Sequence, residues 1–255
     1  MTSSPLSASA LYRLLHTGNP GDEQFYLRAA GEPTGVLELG AGWGRLSWAL
    51  ARAGHRVVGV ELDVDFVEAA RLAEPLGSRI SGSVEFVVAD LRELELGRKF
   101  ERIFMPYNTL YALGGRKGVT RAFAGARRHL ADDGELWFDV YAMDEFHAAS
   151  LAGEVPDDSE AQELVLETEF EGGPLRVFET TALDLTEQRL DVDYRAEREG
   201  ALPGRGRLTH HYLLTHEIGD CLEAAGLEPA GMWGGFAGQA ADEEAEQLVV
   251  CAMAR

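Results

Sequence analysis

The chain is short of positive charge, of cysteine and of long apolar runs, and each shortage excludes something. Of its 255 residues, 23 are Lys or Arg and 43 are Asp or Glu, a formal net charge of -20. Partners that are polyanions (DNA, RNA, an anionic membrane surface) require a basic footprint, so this balance argues against them. Two cysteines, Cys221 and Cys251, make neither a disulfide framework nor a metal cluster. The expectation is a reducing, cytoplasmic compartment and no metal. No stretch approaches the roughly 20 apolar residues of a membrane span. The opening MTSSPLSASALYRLL lacks the charged and apolar blocks of a secretory signal.

What is present is unevenly placed. Residues 1–150 carry 16 basic and 20 acidic side chains, and residues 151–255 carry 7 and 23. The acidity therefore belongs to the C-terminal part. At 45% hydrophobic and 26% charged, the composition is that of a globular chain with a sizeable core.

Periodicity divides the chain into four parts. Residues 1–34 read as a helical cap, with Leu11, Leu14 and Leu15 at helical spacing and a Gly-Asn-Pro-Gly turn at 18–21. From 35 to 150 short apolar strands alternate with helices: 36–39, 45–53, 56–60, 63–76, 84–88, 102–105, 119–130 and 135–141. That rhythm implies right-handed βαβ units and a parallel sheet. From 151 to 215 the period changes to two, over 163–170, 175–185, 188–199 and 207–215, with turns at Gly172-Gly173-Pro174 and Leu185-Thr186-Glu187. This is an inserted antiparallel meander of about four strands, and it carries much of the acidity. From 216 to 255 a helix and two strands return to the core. The fold class is α/β: a doubly wound, Rossmann-like seven-stranded sheet with an inserted antiparallel β-sheet lid.

Three carboxylates mark a nucleotide-type site. The first strand runs into Glu38-Leu39-Gly40-Ala41-Gly42-Trp43-Gly44-Arg45. Glycines there allow a tight strand-to-helix turn and close approach of a ligand to backbone. A dinucleotide fingerprint would place its third glycine at 45, where Arg stands, so pyrophosphate cradling is disfavoured. Glu61 ends the second strand, 21 residues past Gly40, where an acid accepts from ribose hydroxyls. Asp90-Leu91 follows the third strand, where a carboxylate meets an exocyclic amine and an apolar neighbour covers the ring. Taken singly, each acid also reads as a cap or turn residue.

These blocks carry a resemblance. GVLELGAGWGR, VVGVELD, VEFVVADLREL and FERIFMPYNTLYAL resemble, in order, the blocks of class I S-adenosylmethionine-dependent methyltransferases over about residues 35–145, with a return at 216–255. The resemblance implies S-adenosyl-L-methionine as cofactor. Gly40 and Gly42 would correspond to the turn against its methionyl end, with Glu38 and Ala41 among the cofactor-binding residues. Glu61 would bind the ribose and Leu62 flank the adenine. Asp90 and Leu91 would hold the adenine edge, and Tyr107 would line the sulfonium region. A narrower resemblance, carried by the insertion and by THHYLLTHEIGDCLEAAGLEPAGMWGGFAG, is to small-molecule enzymes such as amino-sugar N,N-dimethyltransferases and glycine N-methyltransferase-like proteins. Met105-Pro106-Tyr107-Asn108 replaces the Asn/Asp-Pro-Pro-aromatic block, which disfavours nucleic-acid bases as acceptors.

The expected activity is methyl transfer to nitrogen or oxygen of a small-molecule acceptor, with a sugar or natural product in view. Alignment in a lidded site supplies on the order of 7–11 kcal/mol in favourable cases. Tyr12, Phe25 and Tyr26 are candidates to cover the cofactor. Asn108, Tyr111, Trp233 and Phe236 are candidates to wall the acceptor. His210, His211 and His216 are general-base candidates because imidazole titrates near neutrality; strand alternation lets only one of His210 and His211 face inward. Leu190, Val192 and Tyr194, or their opposites, are expected on the inner face of the insertion, closing the acceptor site, with the acids outside. The competing readings are a nicotinamide-dependent oxidoreductase and a non-catalytic cofactor-binding regulator. A homodimer is the expected assembly on frequency alone.

Overall fold

A computed structural model describes residues 6–73, 80–143, 162–200, 202–242 and 244–255. Contacts divide the chain into two units: Met1–Thr17 with Glu145–Tyr212, and Gly18–Asp144 with Leu213–Arg255. The segment read as one helical cap is split by them. Helix α1 (Ala8–Leu15) belongs with the antiparallel strands, and α2 (Asp22–Ala30) with the α/β core.

The larger unit contains β1 (Gly35–Leu39), α3 (Arg45–Arg52), β2 (Arg56–Glu61), α4 (Val64–Leu72), β3 (Ser83–Val88), β4 (Phe100–Met105), α5 (Arg116–His129) and β5 (Leu130–Tyr141). The expected end of α4 beyond residue 73 lies outside the described residues. After the insertion come α6 (Thr215–Ala224), β10 (Leu227–Trp233) and β11 (Gln247–Ala254). The seven strands lie in the order β10-β11-β5-β4-β1-β2-β3, parallel except that β11 runs antiparallel to β5 and β10. β1 sits between β2 and β4, so the chain reverses its winding direction there. That switch point is where open α/β sheets bind ligands, beyond the carboxyl ends of the strands.

The strands form where the sequence is continuously apolar. Val36, Leu37 and Leu39 of β1 are buried, as are Ile103, Phe104 and Met105 of β4, as expected for a sheet covered on both faces. Phe104 meets Tyr26 of α2, ring centroids 5.0 Å apart, in a cluster with Leu46 and Leu50 of α3 and Val249 of β11. β5 starts earlier than the expected residue 135: Leu130 already pairs with Phe100, and the Asp133-Gly134 region is a bulge opposite a register shift in β4.

The smaller unit is a four-stranded antiparallel sheet, β6 (Glu163–Phe170), β7 (Gly173–Asp184), β8 (Arg189–Arg198) and β9 (Gly204–His211), in that order. Its first hairpin turns on Glu171-Gly172, not on the expected Gly172-Gly173-Pro174. Both residues have positive φ, 49° and 82°, the two-residue turn that matches strand twist. Gly173 and Pro174 already pair with Phe170 and Glu169. At the next turn Asp184 accepts from the N–H groups of Thr186 and Glu187. One face carries Leu175, Val177 and Ala196, packed by Leu11 of α1. Leu190, Val192, Tyr194 and His210 share that face by register, and Asp191, Asp193 and His211 take the other. The outer carboxylates are paired: Asp191 with Arg189 and Arg207, and Glu197 with Arg195.

Phe104 lies fully buried at the centre of the larger unit. Phe104→Ala is expected to cost about 3–5 kcal/mol, measured by urea unfolding. A loss below about 1 kcal/mol would show that the aromatic cluster does not hold α2 to the sheet.

Candidate functional site

The glycine turn leaves β1 with three left-handed residues, Gly40 (φ 78°), Gly42 (φ 54°) and Gly44 (φ 82°). They differ in what surrounds them. A Cβ on Gly40 would lie 2.4 Å from the Thr109 side chain, and one on Gly44 2.8 Å from Phe86. At Gly42 a Cβ would meet nothing within 4 Å. Gly40 and Gly44 are therefore packing glycines, and Gly42 borders open space at the sheet edge. The N–H groups of Gly40 and Ala41 both donate to the Val60 carbonyl, tying the turn to β2.

Glu61 stands beside that space. Its Oε2 accepts from the Gly42 N–H at 2.9 Å, and its Oε1 from those of Leu62 and Asp63 at 2.8 and 3.1 Å. Leu62, next to it, is 59% exposed. Asp63 caps α4 through the Asp65 N–H. Glu38, by contrast, is buried and points away into α3, where it accepts from the Ser47 hydroxyl. Burial pushes its carboxyl up to about 7, against the pull of Ser47 and Arg45.

Asp90 caps a single turn of 3-10 helix, Leu91–Glu93, and forms a fork with Arg92. Its two oxygens accept from the Arg92 N–H, Nε and Nη2 at 2.7–3.1 Å. That fork holds its carboxyl below the ordinary range. Leu91 is buried beneath it.

The turn after β4 is the most constrained backbone at this edge. Tyr107 (φ 56°) and Asn108 (φ 60°) are consecutive non-glycine residues in the left-handed region, a conformation that needs support from its surroundings. The support is Asp139 of β5. Its Oδ1 accepts from the Tyr107 N–H at 3.0 Å and its carbonyl from the Asn108 N–H at 3.1 Å. The Asn108 Oδ1 in turn accepts from the Tyr141 N–H at 2.7 Å. Asp139 also takes the Tyr26 hydroxyl at 2.5 Å, the Gln247 Nε2 at 3.2 Å and the Asn19 Nδ2 at 3.4 Å. It is fully buried, and that burial pushes its carboxyl up to about 6 despite these donors. Asp22 and Arg45 close the same region with an ion pair at 2.5 Å.

The expected site residues thus fall into three groups. Gly40, Ala41, Gly42, Glu61, Leu62, Asp90, Leu91, Tyr107 and Asn108 are brought to the carboxyl edge of one sheet. Tyr26 and Tyr111 are fully buried instead. Tyr26 is spent on Asp139, and the Tyr111 hydroxyl on the carbonyls of Tyr141 and Leu213. Trp233 stacks on Trp137, centroids 5.4 Å apart, and Phe236 joins the core cluster around Tyr26. Tyr12, His210 and His211 belong to the smaller unit. There Tyr12 stacks on His16 at 4.1 Å, and His16 meets Tyr194 edge-on at 5.7 Å. Burial holds His16 and His210 down to about 4, so both rings are neutral near pH 7. Asp139, Arg92 and the Asp22–Arg45 pair were absent from the sequence reading.

A cleft of about 660 Å³ opens on the larger unit between α2 and the loops flanking β10 and β11. Phe236, Gln24 and Arg28 line it, together with Asp242, Glu244 and Glu246. Part of the C-terminal acidity therefore faces a cavity of the α/β unit. Among the described residues no group of His, Cys, Asp and Glu is arranged to hold a metal, and no helix is long and apolar enough to cross a membrane.

Comparison with known proteins places the chain beside methyltransferases. Residues 36–134 match the family described as a methyltransferase domain. A cypemycin N-terminal methyltransferase from a Streptomyces species is 33% identical over 117 residues, 45% of this chain and 44% of that protein. The chain thus matches under half the length of this curated relative. Among solved structures, the CcbJ methyltransferase from Streptomyces caelestis superposes with a TM-score of 0.77 at 22% identity, covering 98% of this chain and 96% of that one. An amino pentose methyltransferase from Micromonospora echinaspora, CalS10, determined with S-adenosylmethionine bound, gives 0.66 at 20% identity, covering 95% and 94%.

Two predictions follow from the packing of the edge. An alanine in the left-handed region costs about 1–2 kcal/mol, so Gly42→Ala should lose about that in chemical denaturation. Gly40→Ala must also displace Thr109 and should lose clearly more; equal losses would refute the packing role of Thr109. Glu38 ionises near 7 in the folded chain against 4.5 ordinarily. The folded state then holds the extra proton, and its contribution to stability is lost as pH rises through that window. Glu38→Gln should raise the melting temperature at pH 8 and leave it unraised at pH 4. A drop at pH 8 would contradict this.

Proposed function

We propose that this chain, whose residues 36–134 match a methyltransferase domain, transfers the methyl group of S-adenosylmethionine to a small-molecule acceptor. The observation that carries the reading is the open space at Gly42 beside a carboxylate fixed by three backbone N–H groups and an exposed leucine. A ribose needs paired acceptors held in place, and Glu61 supplies them. An adenine ring needs an apolar cover, and Leu62 is exposed to give it. The residues present fit the cofactor at this end.

When bound, the sulfonium supplies an activated methyl group with a neutral thioether as leaving group. The chain has to position and exclude water. Glu61 orients the ribose, Leu62 and Leu91 flank the base, and Asp90 meets the adenine edge while sharing its oxygens with Arg92. The Tyr107–Asn108 turn borders the reacting end. Burial raises the Tyr107 phenol above its ordinary value, so it stays protonated and acts as a donor, not a base.

The cleft beside α2 is the acceptor side in this reading. Three carboxylates against the single guanidinium of Arg28 favour a cationic amine over an anionic acceptor. The name of one similar protein, a methyltransferase acting at an N-terminus, supports nitrogen as the methylated atom. A nicotinamide dinucleotide is disfavoured because Arg45, at the position of the third fingerprint glycine, is committed to Asp22.

Calorimetric titration with S-adenosylmethionine should give saturable binding. Gly42→Val and Asp90→Ala should each weaken it at least tenfold, and the double variant should abolish it. No binding by the unmodified protein at millimolar cofactor would sink the reading.

A further inference from the structure

We propose that Asp139 is a positioning residue whose ionised carboxylate fixes the Tyr107–Asn108 turn against the glycine turn and thereby sets the affinity for the methyl donor. The inference rests on the cofactor reading above and concerns a fully buried residue that acts through the turn it holds.

Two successive non-glycine residues in the left-handed region are held by one residue, Asp139, through its side chain at Tyr107 and its main chain at Asn108. The turn continues directly into Thr109. That side chain fills the place where Gly40 lacks a Cβ, and its hydroxyl is anchored to the Pro106 carbonyl at 2.7 Å. Gly40 leads to Gly42, whose N–H holds Glu61. A shift of the Tyr107–Asn108 turn therefore moves Thr109 against the glycine turn and disturbs the carboxylate that would take the ribose.

Every partner of the Asp139 side chain is a donor: the Tyr26 hydroxyl, the Tyr107 N–H and the amides of Asn19 and Gln247. Four donors converging on two oxygens suit a carboxylate. Of these the Tyr107 N–H can only donate, and an ionised carboxylate accepts from it more strongly than a carboxylic acid does, whereas the Tyr26 hydroxyl can also accept. The charged or titratable groups that act on it are Tyr26 and Asp22 from α2, Arg45 from α3 and Tyr107 from the turn, and Glu38 of β1 acts on its partner Tyr26. Arg45 favours the ionised form, and Asp22 opposes it. With burial dominant, Asp139 titrates near about 6.

The test compares the unmodified protein, Asp139→Asn and Tyr26→Phe from pH 5 to 8. The readouts are calorimetric affinity for S-adenosylhomocysteine and amide-exchange protection at residues 104–112 of the ligand-free protein. If only the ionised form is competent, affinity should fall about tenfold between pH 7.5 and pH 5, and protection at Tyr107 and Asn108 should fall in parallel. Asp139→Asn should bind weakly at every pH with a flat profile and low protection, yet melt no lower at pH 7.5, because a buried charge has been removed. Tyr26→Phe should move the midpoint upward. An Asp139→Asn protein that keeps the original pH dependence and protection would overturn the proposal and assign the titration to Glu38. If the unmodified protein binds at no pH, the cofactor reading and the affinity claim both fail. Protection then decides alone whether Asp139 holds the turn.

Discussion

One buried carboxylate organises the carboxyl edge of the larger sheet. Desolvating Asp139 is unfavourable by several kcal/mol unless its lone pairs are met. No single element meets them. Tyr26 and Asn19 come from α2 and the segment before it, the Tyr107 N–H from the turn after β4, and Gln247 from the start of β11. These four elements are therefore placed by a common requirement. If any one withdraws, the others are left with a poorly solvated charge. This also explains why Gly18–Ala30 belongs with the α/β unit although α1 does not: the Asp22–Arg45 pair and the Asn19 and Tyr26 bonds are all made to it.

The same edge concentrates unusual backbone. Gly40, Gly42 and Gly44 are left-handed at little cost because they lack a Cβ. Tyr107 and Asn108 are left-handed with side chains, at about 1–2 kcal/mol each. Strain of this kind persists only where neighbours over-determine it, and here three hydrogen bonds to Asp139 and Tyr141 do so. The two turns meet through Thr109 and Gly40 at the β1–β4 boundary, where the winding reverses. A rigid seam beside the open space at Gly42 is what alignment-driven chemistry requires.

The parts legible in the sequence are those whose signals are local. The β1 glycine turn, the acid ending β2, the alternation that sets His210 and His211 on opposite faces, and the seven-plus-four strand count all follow from spacing and period. The first hairpin turn was displaced by one residue because Gly172-Gly173-Pro174 outweighed Glu171, whose positive φ has no compositional mark. Asp139 left no trace because its partners are remote: Tyr26, Asn19 and Gln247 lie 113, 120 and 108 positions away, and Phe138-Asp139-Val140 reads only as a core strand. Arg92 is different. It stands two residues after Asp90, and an acid that caps a turn beside an arginine was readable as a fork. Tyr26 and Tyr111 were read as pocket residues because an aromatic in the right segment looks the same whether it faces a ligand or the core.

The charge of the chain takes on a different meaning once it is located. On the smaller unit several acids, Asp191 and Glu197 among them, are paired with arginines, so those carboxylates say little about a ligand. The acids at 242, 244 and 246 face a cleft with one guanidinium, and there the excess acts on whatever enters. Under the proposed reading, an amine would arrive as an ammonium ion and be concentrated by that field. The same field raises the ammonium pKa and so opposes loss of the proton that frees the nitrogen lone pair for attack. Attraction and activation therefore call for different surroundings. Gln247 spans them, since it lines the acidic cleft and also donates to Asp139. From Gln247 the contacts continue through Asp139 to the Tyr107 N–H. Under that reading the cleft acids would serve capture and would work against loss of the proton.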